Sequence, residues 1–211
     1  MKKLLILGAG GFGREVLQYA KDVLEKTTVG WEIEGFLDDN LNALENYSYE
    51  HKIIGRISDH KVKDEYVYIC AIGDPKTKLE IGRKFLNDGA NFVNLIHPTA
   101  YVSESCKIGI GVVLCPDAKV TTDVTMGNFV AVDCNSICSH DSIIGDGCTI
   151  SHFCDITGFA VLGEGVFLGS GASVCPSSKI GDYAKIGAGS VVLHDIEAGK
   201  LAFGTPAKVQ K

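Results

Sequence analysis

Residues 126–161 read MGNFVA VDCNSI CSHDSI IGDGCT ISHFCD ITGFAV, six consecutive hexads. The same register runs without insertion from Ile96 to Val191, which gives sixteen hexads. The first place holds Ile, Val, Leu or Met in every hexad except that of Cys138, and the fifth place is always small or slender. Such a period is typical of a parallel β-helix, in which stacked units bury a core that no unit buries alone.

A second period of eighteen residues separates Gly109, Gly127, Gly145, Gly163 and Gly181. Three hexads therefore make one coil, and residues eighteen apart stack at roughly the 4.8 Å spacing of neighbouring strands. Sixteen hexads give a prism of about five coils and ~25 Å. Glycine is expected where a corner needs a positive φ or a close backbone approach.

The first 95 residues have a different pattern, in which apolar strand-like runs alternate with helical stretches. Strands are expected near 4–7, 31–37, 52–54, 66–72 and 92–95, and helices at 14–26 and from Pro75 to Asn87. This order predicts a Rossmann-like α/β domain with a parallel sheet. We therefore predict two rigidly joined domains, 1–95 and 96–211, the second being an all-β β-helix with a C-terminal arm.

Composition limits the function classes. A net charge of -6 and a pI near 5.5 argue against a nucleic-acid partner. The sequence has no apolar run near ~18 residues and no signal peptide, so we expect no membrane span and a cytoplasmic protein. Cys106, Cys148 and Cys154 occupy the small inward place and are expected in the core. No metal is expected, although Cys134 and His152 are ladder neighbours eighteen apart.

The loop Gly8–Gly13 matches GxGxxG, in which glycines let backbone N–H groups approach a phosphate at a helix N-terminus. Because ~95 residues supply only one half of a dinucleotide fold, a nucleotide diphosphate fits better than a dinucleotide. The alternative is a purely structural glycine turn. The residues expected at the ligand are Gly10, Gly11 and Phe12 for the phosphate and Asp38 or Asp39 for the nucleoside.

Three of the six histidines, His140, His152 and His194, occupy the outward third place of a hexad. His140 differs from the others because Asp141 follows it and Gly158 stands eighteen residues on, in the next coil. A base oriented by a carboxylate, beside a backbone N–H that can hold an oxyanion, is what acyl transfer requires. The alternative is an ordinary exposed histidine.

Seven short motifs occur in a fixed order over almost the whole chain. They are 8–13, Phe36–Asp39, Ala71–Asp74, Asn94–His97, Ser139–Asp141 with Ile144–Gly145, Gly187–Val192 and Gly204–Lys208. The ordered set resembles the PglD/NeuD-type family of hexapeptide-repeat sugar O/N-acetyltransferases. The resemblance implies a left-handed β-helix, a homotrimer, and acetyl-CoA as co-substrate in the grooves between neighbouring prisms.

The resemblance also implies residue roles. His140 matches the general base, Asp141 the acid that increases its basicity, and Gly158 the backbone oxyanion donor. The implied coenzyme contacts are Thr149, Ser170, Ala188 and Lys208, and the implied substrate contacts are Gly10, Gly11, Phe12, Asp38, Asp39, Gly73 and Asp133. Phe12 and Thr149 stand where relatives often carry histidine. Asp133 stands where relatives often carry asparagine, and its carboxylate would favour a cationic amino substrate.

The sequence therefore predicts an acetyl-CoA-dependent N-acetyltransferase that modifies a nucleotide-linked amino sugar, such as a UDP-4-amino-4,6-dideoxy sugar, by direct transfer. O-acetylation of sialic acid or another sugar is the alternative within the enzyme class. A non-catalytic nucleotide-binding β-helix scaffold and a nicotinamide-binding module are the alternatives from other classes. The sugar, its carrier nucleotide and the acetylated position stay open.

Overall fold

The computed structural model describes residues 1–210. Their N-terminal part is a four-stranded parallel sheet in the order β3-β2-β1-β4 with two helices. Its elements are β1 (Lys2–Leu7), α1 (Gly11–Lys26), β2 (Trp31–Leu37), β3 (Ile53–Gly55), β4 (Tyr66–Cys70) and α2 (Pro75–Asn87). The predicted parallel α/β order is confirmed. Helix α1 begins three residues before the expected Arg14, because the second half of the glycine loop is already helical.

Helix α2 begins where the sequence predicts. The side chain of Asp74 caps it by accepting a hydrogen bond from the backbone N–H of Thr77 at 2.9 Å, and Pro75 occupies the first helical position. Neither helix within residues 1–210 has the length and apolarity that a membrane crossing requires.

The hexads form a left-handed parallel β-helix with three faces, as the resemblance implied. Each hexad contributes a two-residue strand, and every third strand pairs on the same face. The first face carries β5 (Leu95–Ile96), β8 (Val113–Leu114), β11 (Ala131–Val132), β14 (Thr149–Ile150), β17 (Phe167–Leu168) and β20 (Lys185–Ile186). The second carries β6 (Tyr101–Val102), β9 (Lys119–Val120), β12 (Ile137–Cys138), β15 (Asp155–Ile156), β18 (Ser173–Val174) and β21 (Val191–Val192). The third carries β7 (Lys107–Ile108), β10 (Thr125–Met126), β13 (Ile143–Ile144), β16 (Val161–Leu162) and β19 (Lys179–Ile180).

The C-terminal arm is an antiparallel hairpin, β22 (Leu201–Gly204) and β23 (Ala207–Val209), which extends the first face beyond β20. At the other end, the expected strand at 92–95 is wrong in part. Phe92 makes only an isolated bridge to Tyr68, whereas Leu95 already pairs with Val113 inside the β-helix. The first coil therefore begins at Leu95, one residue before the first hexad starts at Ile96.

The core follows the hexad pattern. First-place residues are buried from Leu114 to Ile186 and form one continuous cluster with the fifth-place residues. Ile96 at the start of the prism is 36% exposed, because no coil stacks beneath it. Cys138, Cys148 and Cys154 are buried in this cluster, as expected from their places in the repeat, whereas Cys106 is only half-buried and packs against it.

The glycines of the eighteen-residue period are explained by close stacking of the coils and not by a left-handed backbone conformation. The left-handed backbone conformation falls on the fourth place of every hexad from Gly111 to Gly189, whether that residue is glycine or not. Gly109, Gly145 and the others of the period lie in the second place and have no positive φ. A Cβ on Gly145 would lie 2.5 Å from the backbone of Gly163 in the next coil. Close coil stacking is therefore the reason for these glycines.

Helix α2 packs directly on the β-helix. A Cβ on Gly147 would lie 2.3 Å from Leu79, and a Cβ on Gly82 would lie 2.8 Å from the Phe129 ring. Arg83 bonds to Glu164 with both of its terminal nitrogens. These contacts hold α2 against the corner between the third and first faces.

Candidate active site

His140 lies at the corner between the second and third faces, which we call the second corner. Its Nδ1 lies 2.9 Å from Oδ2 of Asp141, and the two side chains are 54% and 42% exposed. Asp141 occupies the left-handed fourth place with φ 59°, and this turn brings its carboxylate back to the imidazole. If Nδ1 carries the proton for this hydrogen bond, Nε2 is left with a free lone pair.

Gly158 lies under the His140 ring, one coil further on. A Cβ at Gly158 would lie 2.5 Å from Cε1 and 2.6 Å from Nε2, so the space left by the missing side chain is filled by the imidazole itself. The backbone N–H of Gly158 makes no hydrogen bond to another of the described residues. The ring of Phe159 meets the imidazole edge-on at 5.4 Å. The corner thus combines an imidazole, a carboxylate in contact with it and a backbone N–H that has no partner among residues 1–210.

A cavity of about 180 Å³ lies between the N-terminal part and the first face. It brings together four residues that the sequence analysis placed at a ligand, Phe12, Gly73, Asp133 and Thr149. The other lining residues are Glu15, Ser151 and Phe167. These three residues were not predicted from the sequence. Phe167 was predictable, because it lies eighteen residues after Thr149 and therefore stacks on it in the next coil.

Asp133 is the most buried charge of this cavity. Burial raises the pKa of its carboxyl above the usual range, and the charge of His152 acts in the opposite direction. Its Oδ2 lies 3.5 Å from Nδ1 of His152, and the Sγ of Cys115 donates to its Oδ1 at 3.7 Å. His152, which the sequence analysis left without a partner, therefore faces a carboxylate.

The glycine loop divides into structural and open positions. Gly8 has φ 102°, and a Cβ on Gly13 would lie 2.0 Å from the Gly8 carbonyl oxygen, so both are needed for the turn itself. A Cβ on Gly10 or Gly11 would meet no atom within 4 Å. No side chain caps the N-terminus of α1 at this loop, which leaves its first N–H groups to solvent or a ligand.

Asp38 and Asp39 have local partners. The carboxylate of Asp38 accepts hydrogen bonds from the backbone N–H groups of Ala9 at 2.7 Å and Asn40 at 2.8 Å. The carboxylate of Asp39 accepts one from Ser58 at 2.9 Å. Both acids thus shape the loops at the carboxyl end of the sheet, and their contact with a nucleoside stays a prediction.

Three of the residues assigned to the coenzyme lie along one exposed strip. Ser170 and Ala188 stack in neighbouring coils at the first corner, between the first and second faces, and Lys208 is exposed on β23 at the end of the prism. Thr149, the fourth, is buried on the first face. Its Oγ1 accepts from Nζ of Lys78 at 2.8 Å and donates to the Gly73 carbonyl oxygen at 2.8 Å.

A single chain keeps these groups apart. The cavity and the exposed strip lie on the first face and first corner, whereas His140 lies at the second corner, beyond the whole second face. Neither His140 nor Asp141 lines the cavity. Within residues 1–210, no group of three or more His, Cys, Asp or Glu side chains is arranged to hold a metal ion.

Comparisons with known proteins match this architecture. The PglD N-terminal domain family matches residues 3–85, the GMPPB C-terminal domain family residues 92–175, and the bacterial transferase hexapeptide family residues 159–194. A GDP-perosamine N-acetyltransferase of Escherichia coli O157:H7 is 26% identical over 80% of this chain and 76% of its own length.

Two solved structures cover nearly the whole chain. The crystal structure of PerB from Caulobacter crescentus, in complex with CoA and GDP-perosamine, superposes with a TM-score of 0.87 and 27% identity, over 100% of this chain and 98% of that one. The acetyltransferase domain of PglB from Neisseria gonorrhoeae, in complex with acetyl coenzyme A, gives 0.88 and 29%, over 99% of both chains. The chain belongs to the PglD/NeuD-type family of hexapeptide-repeat acetyltransferases, and it is an acyltransferase.

Proposed function

We propose that this chain transfers the acetyl group of acetyl-CoA to the amino group of a nucleotide-linked amino sugar. The arrangement of His140, Asp141 and Gly158 carries the proposal. It supplies a free Nε2 lone pair, a carboxylate 2.9 Å from Nδ1 and an unused backbone N–H at one corner. The relatives crystallised with CoA, acetyl coenzyme A and GDP-perosamine support the two substrate classes.

In the proposed reaction, the acceptor nitrogen attacks the thioester carbonyl carbon, and Nε2 of His140 takes the proton that the nitrogen loses. The Gly158 N–H donates to the oxyanion of the tetrahedral intermediate. The C–S bond then breaks, and the imidazolium returns the proton so that CoA leaves as a thiol. Asp141 holds the imidazole in the required tautomer and stabilises the imidazolium. No covalent acyl-enzyme is formed, so the cysteines take no part.

The acceptor is assigned to the cavity behind the glycine loop. The open positions Gly10 and Gly11 and the uncapped α1 N-terminus suit a diphosphate. Asp133 and Glu15 on the cavity wall suit the amino group of the sugar. In this proposal residues 1–95 bind the sugar nucleotide and residues 96–211 supply the catalytic residues.

The assembly is proposed to be a homotrimer of parallel prisms. The coenzyme strip and the acceptor cavity are separated from His140 by a full face of the same prism, so one chain cannot assemble the site. A neighbour that places its second corner against the first corner would bring its own His140 to acetyl-CoA and acceptor. Acetyl-CoA would then lie between the prisms against Ser170, Ala188 and Lys208, whereas Thr149, buried beside Gly73, is assigned to the acceptor cavity.

A CoA-release assay tests the proposal. The panel consists of UDP-, GDP- and dTDP-linked 4-amino-4,6-dideoxy sugars together with free sialic acid. The proposal predicts acetyl-CoA-dependent thiol release with at least one amino sugar nucleotide and formation of an N-acetyl product. Turnover with sialic acid alone, giving an O-acetyl ester, would contradict it in favour of O-acetylation. Absence of acetyl-CoA binding would contradict the enzyme assignment itself.

A further inference from the structure

Lys78 is a buried cation that the proposed mechanism does not use. It is 1% exposed, whereas Lys76 and Lys84 on the same helix are exposed. No carboxylate oxygen within residues 1–210 lies within 4.0 Å of its Nζ. A buried ammonium without an ion-pair partner is unfavourable, and burial lowers the pKa of Lys78 to about 8. Its hydrogen bonds therefore indicate what the group does.

The Nζ of Lys78 donates to the Cys148 carbonyl oxygen at 3.1 Å and to Oγ1 of Thr149 at 2.8 Å. An ammonium has no acceptor, so the Thr149 hydroxyl must accept this bond and direct its only hydrogen elsewhere. That hydrogen goes to the Gly73 carbonyl oxygen at 2.8 Å. The ammonium thus fixes the direction of the two hydrogen bonds that run from Lys78 through Thr149 to Gly73.

This chain of hydrogen bonds joins two walls of the acceptor cavity. Gly73 belongs to the loop before α2, Thr149 belongs to β14, and both line the cavity. One lone pair of the Thr149 hydroxyl is left unused. Together with the carboxylates of Asp133 and Glu15, it makes the wall rich in hydrogen-bond acceptors. Such a wall favours a ligand group that donates, as an amino group does.

We propose that Lys78 is a positioning residue for the acceptor, which fixes the Thr149 hydroxyl as an acceptor in the cavity and holds the Gly73 loop against the β-helix. The inference rests on the proposed function and deepens it. It assigns the specificity for an amino group in part to a residue that makes no contact with substrate.

The test compares Lys78→Met and Thr149→Val with Thr149→Ser and the control Lys84→Met. Methionine keeps the length of the side chain without its charge, and valine keeps the shape of threonine without its hydroxyl. Lys78→Met and Thr149→Val are each expected to raise the acceptor KM about tenfold or more, because a hydrogen bond to a charged group is lost. The acetyl-CoA KM is expected to stay at the wild-type value. Lys84→Met, at an exposed position of the same helix, is expected to behave as wild type, and Thr149→Ser, which keeps the hydroxyl, is expected to raise the acceptor KM less than Thr149→Val does.

A merely structural lysine would change thermal stability and leave the two KM values unchanged or altered together. An unchanged acceptor KM in Lys78→Met and Thr149→Val, or an equal rise for both substrates, would therefore overturn the inference. If Lys78→Met does not fold, Thr149→Val decides alone. Calorimetry with the sugar nucleotide distinguishes a failure of the proposed function from a failure of this inference alone. A wild-type protein that binds no sugar nucleotide overturns the proposed function as well, whereas unaltered variants of an active enzyme overturn this inference only.

Discussion

Replacing Gly158 with alanine changes the proposed catalytic corner by a single methyl group. In ideal geometry the added Cβ lies 2.5 Å from Cε1 and 2.6 Å from Nε2 of His140. Carbon atoms in contact are separated by about 3.5 Å, so the imidazole must move by about 1 Å. Gly158 does not have a positive φ, and its backbone therefore accepts alanine without strain.

The movement is expected to affect catalysis more than stability. The His140 side chain is 54% exposed in the single chain, so its ring is not held in place by the packing of its own prism. The proton acceptor is then displaced by about 1 Å from the reacting nitrogen, and a misplacement of this size can cost about 10²-fold in rate. Gly158→Ala should therefore lower kcat about 10²-fold, while its melting temperature stays within a few degrees of wild type.

The assay is CoA release at saturating acetyl-CoA and acceptor. Gly30→Ala is the matched control, because Gly30 also lacks a positive φ and its Cβ would meet no atom within 4 Å. This control should retain wild-type kcat. Wild-type turnover by Gly158→Ala would show that catalysis does not require the close packing of the His140 ring on Gly158.

Three further changes have expected outcomes. Asp141→Asn should lower kcat at least tenfold, since the amide no longer stabilises an imidazolium on His140; an unchanged kcat in the CoA-release assay would exclude that role. Gly11→Ala should weaken sugar-nucleotide binding in calorimetry without lowering the melting temperature, whereas Gly13→Ala should lower the melting temperature, because its Cβ would lie 2.0 Å from a backbone oxygen. The third concerns Lys78, whose pKa in the folded protein, about 8, lies below the ordinary 10.5. Between these values the unfolded chain binds more protons at Lys78, so this lysine should make the unfolding free energy of the wild type rise with pH relative to that of Lys78→Met, by up to roughly 3 kcal/mol. Lys78→Met should lack that rise in urea titrations at pH 8 and 10, and parallel curves for the two proteins would contradict the burial of a charged lysine. The ionisable groups that act on this lysine are Cys70, Cys148, Asp133 and Asp74.

The β-helix could be predicted from sequence because its determinants repeat. Ile150 and Cys138 are each buried for the reason that buries every other first-place residue, so one register describes thirteen consecutive core positions from Leu114 onward. The corners were less predictable. Their left-handed residue is Asp141 in one hexad and Gly147 in the next, so the fourth place has no constant chemistry.

The two parts of the candidate site also differ in how far they can be predicted from the sequence. His140, Asp141 and Gly158 are related by one peptide bond and one coil, and both relations can be counted in the sequence. The cavity depends instead on how α2 and the glycine loop pack on the first face. Lys78 lies seventy-one positions from Thr149. Its place on the same helical face as Leu79 and Phe85 predicts that it points towards the core, but not that it contacts Thr149. Such tertiary contacts leave no local pattern.

General-base catalysis by His140 is tested by the turnover of His140→Ala with the preferred amino sugar nucleotide, monitored as CoA release. Acetyl-CoA affinity is measured in parallel by calorimetry. General-base catalysis by His140 predicts that kcat falls by ~10²-fold or more while acetyl-CoA still binds with wild-type affinity. Near-wild-type turnover by His140→Ala would contradict a role of His140 as the general base.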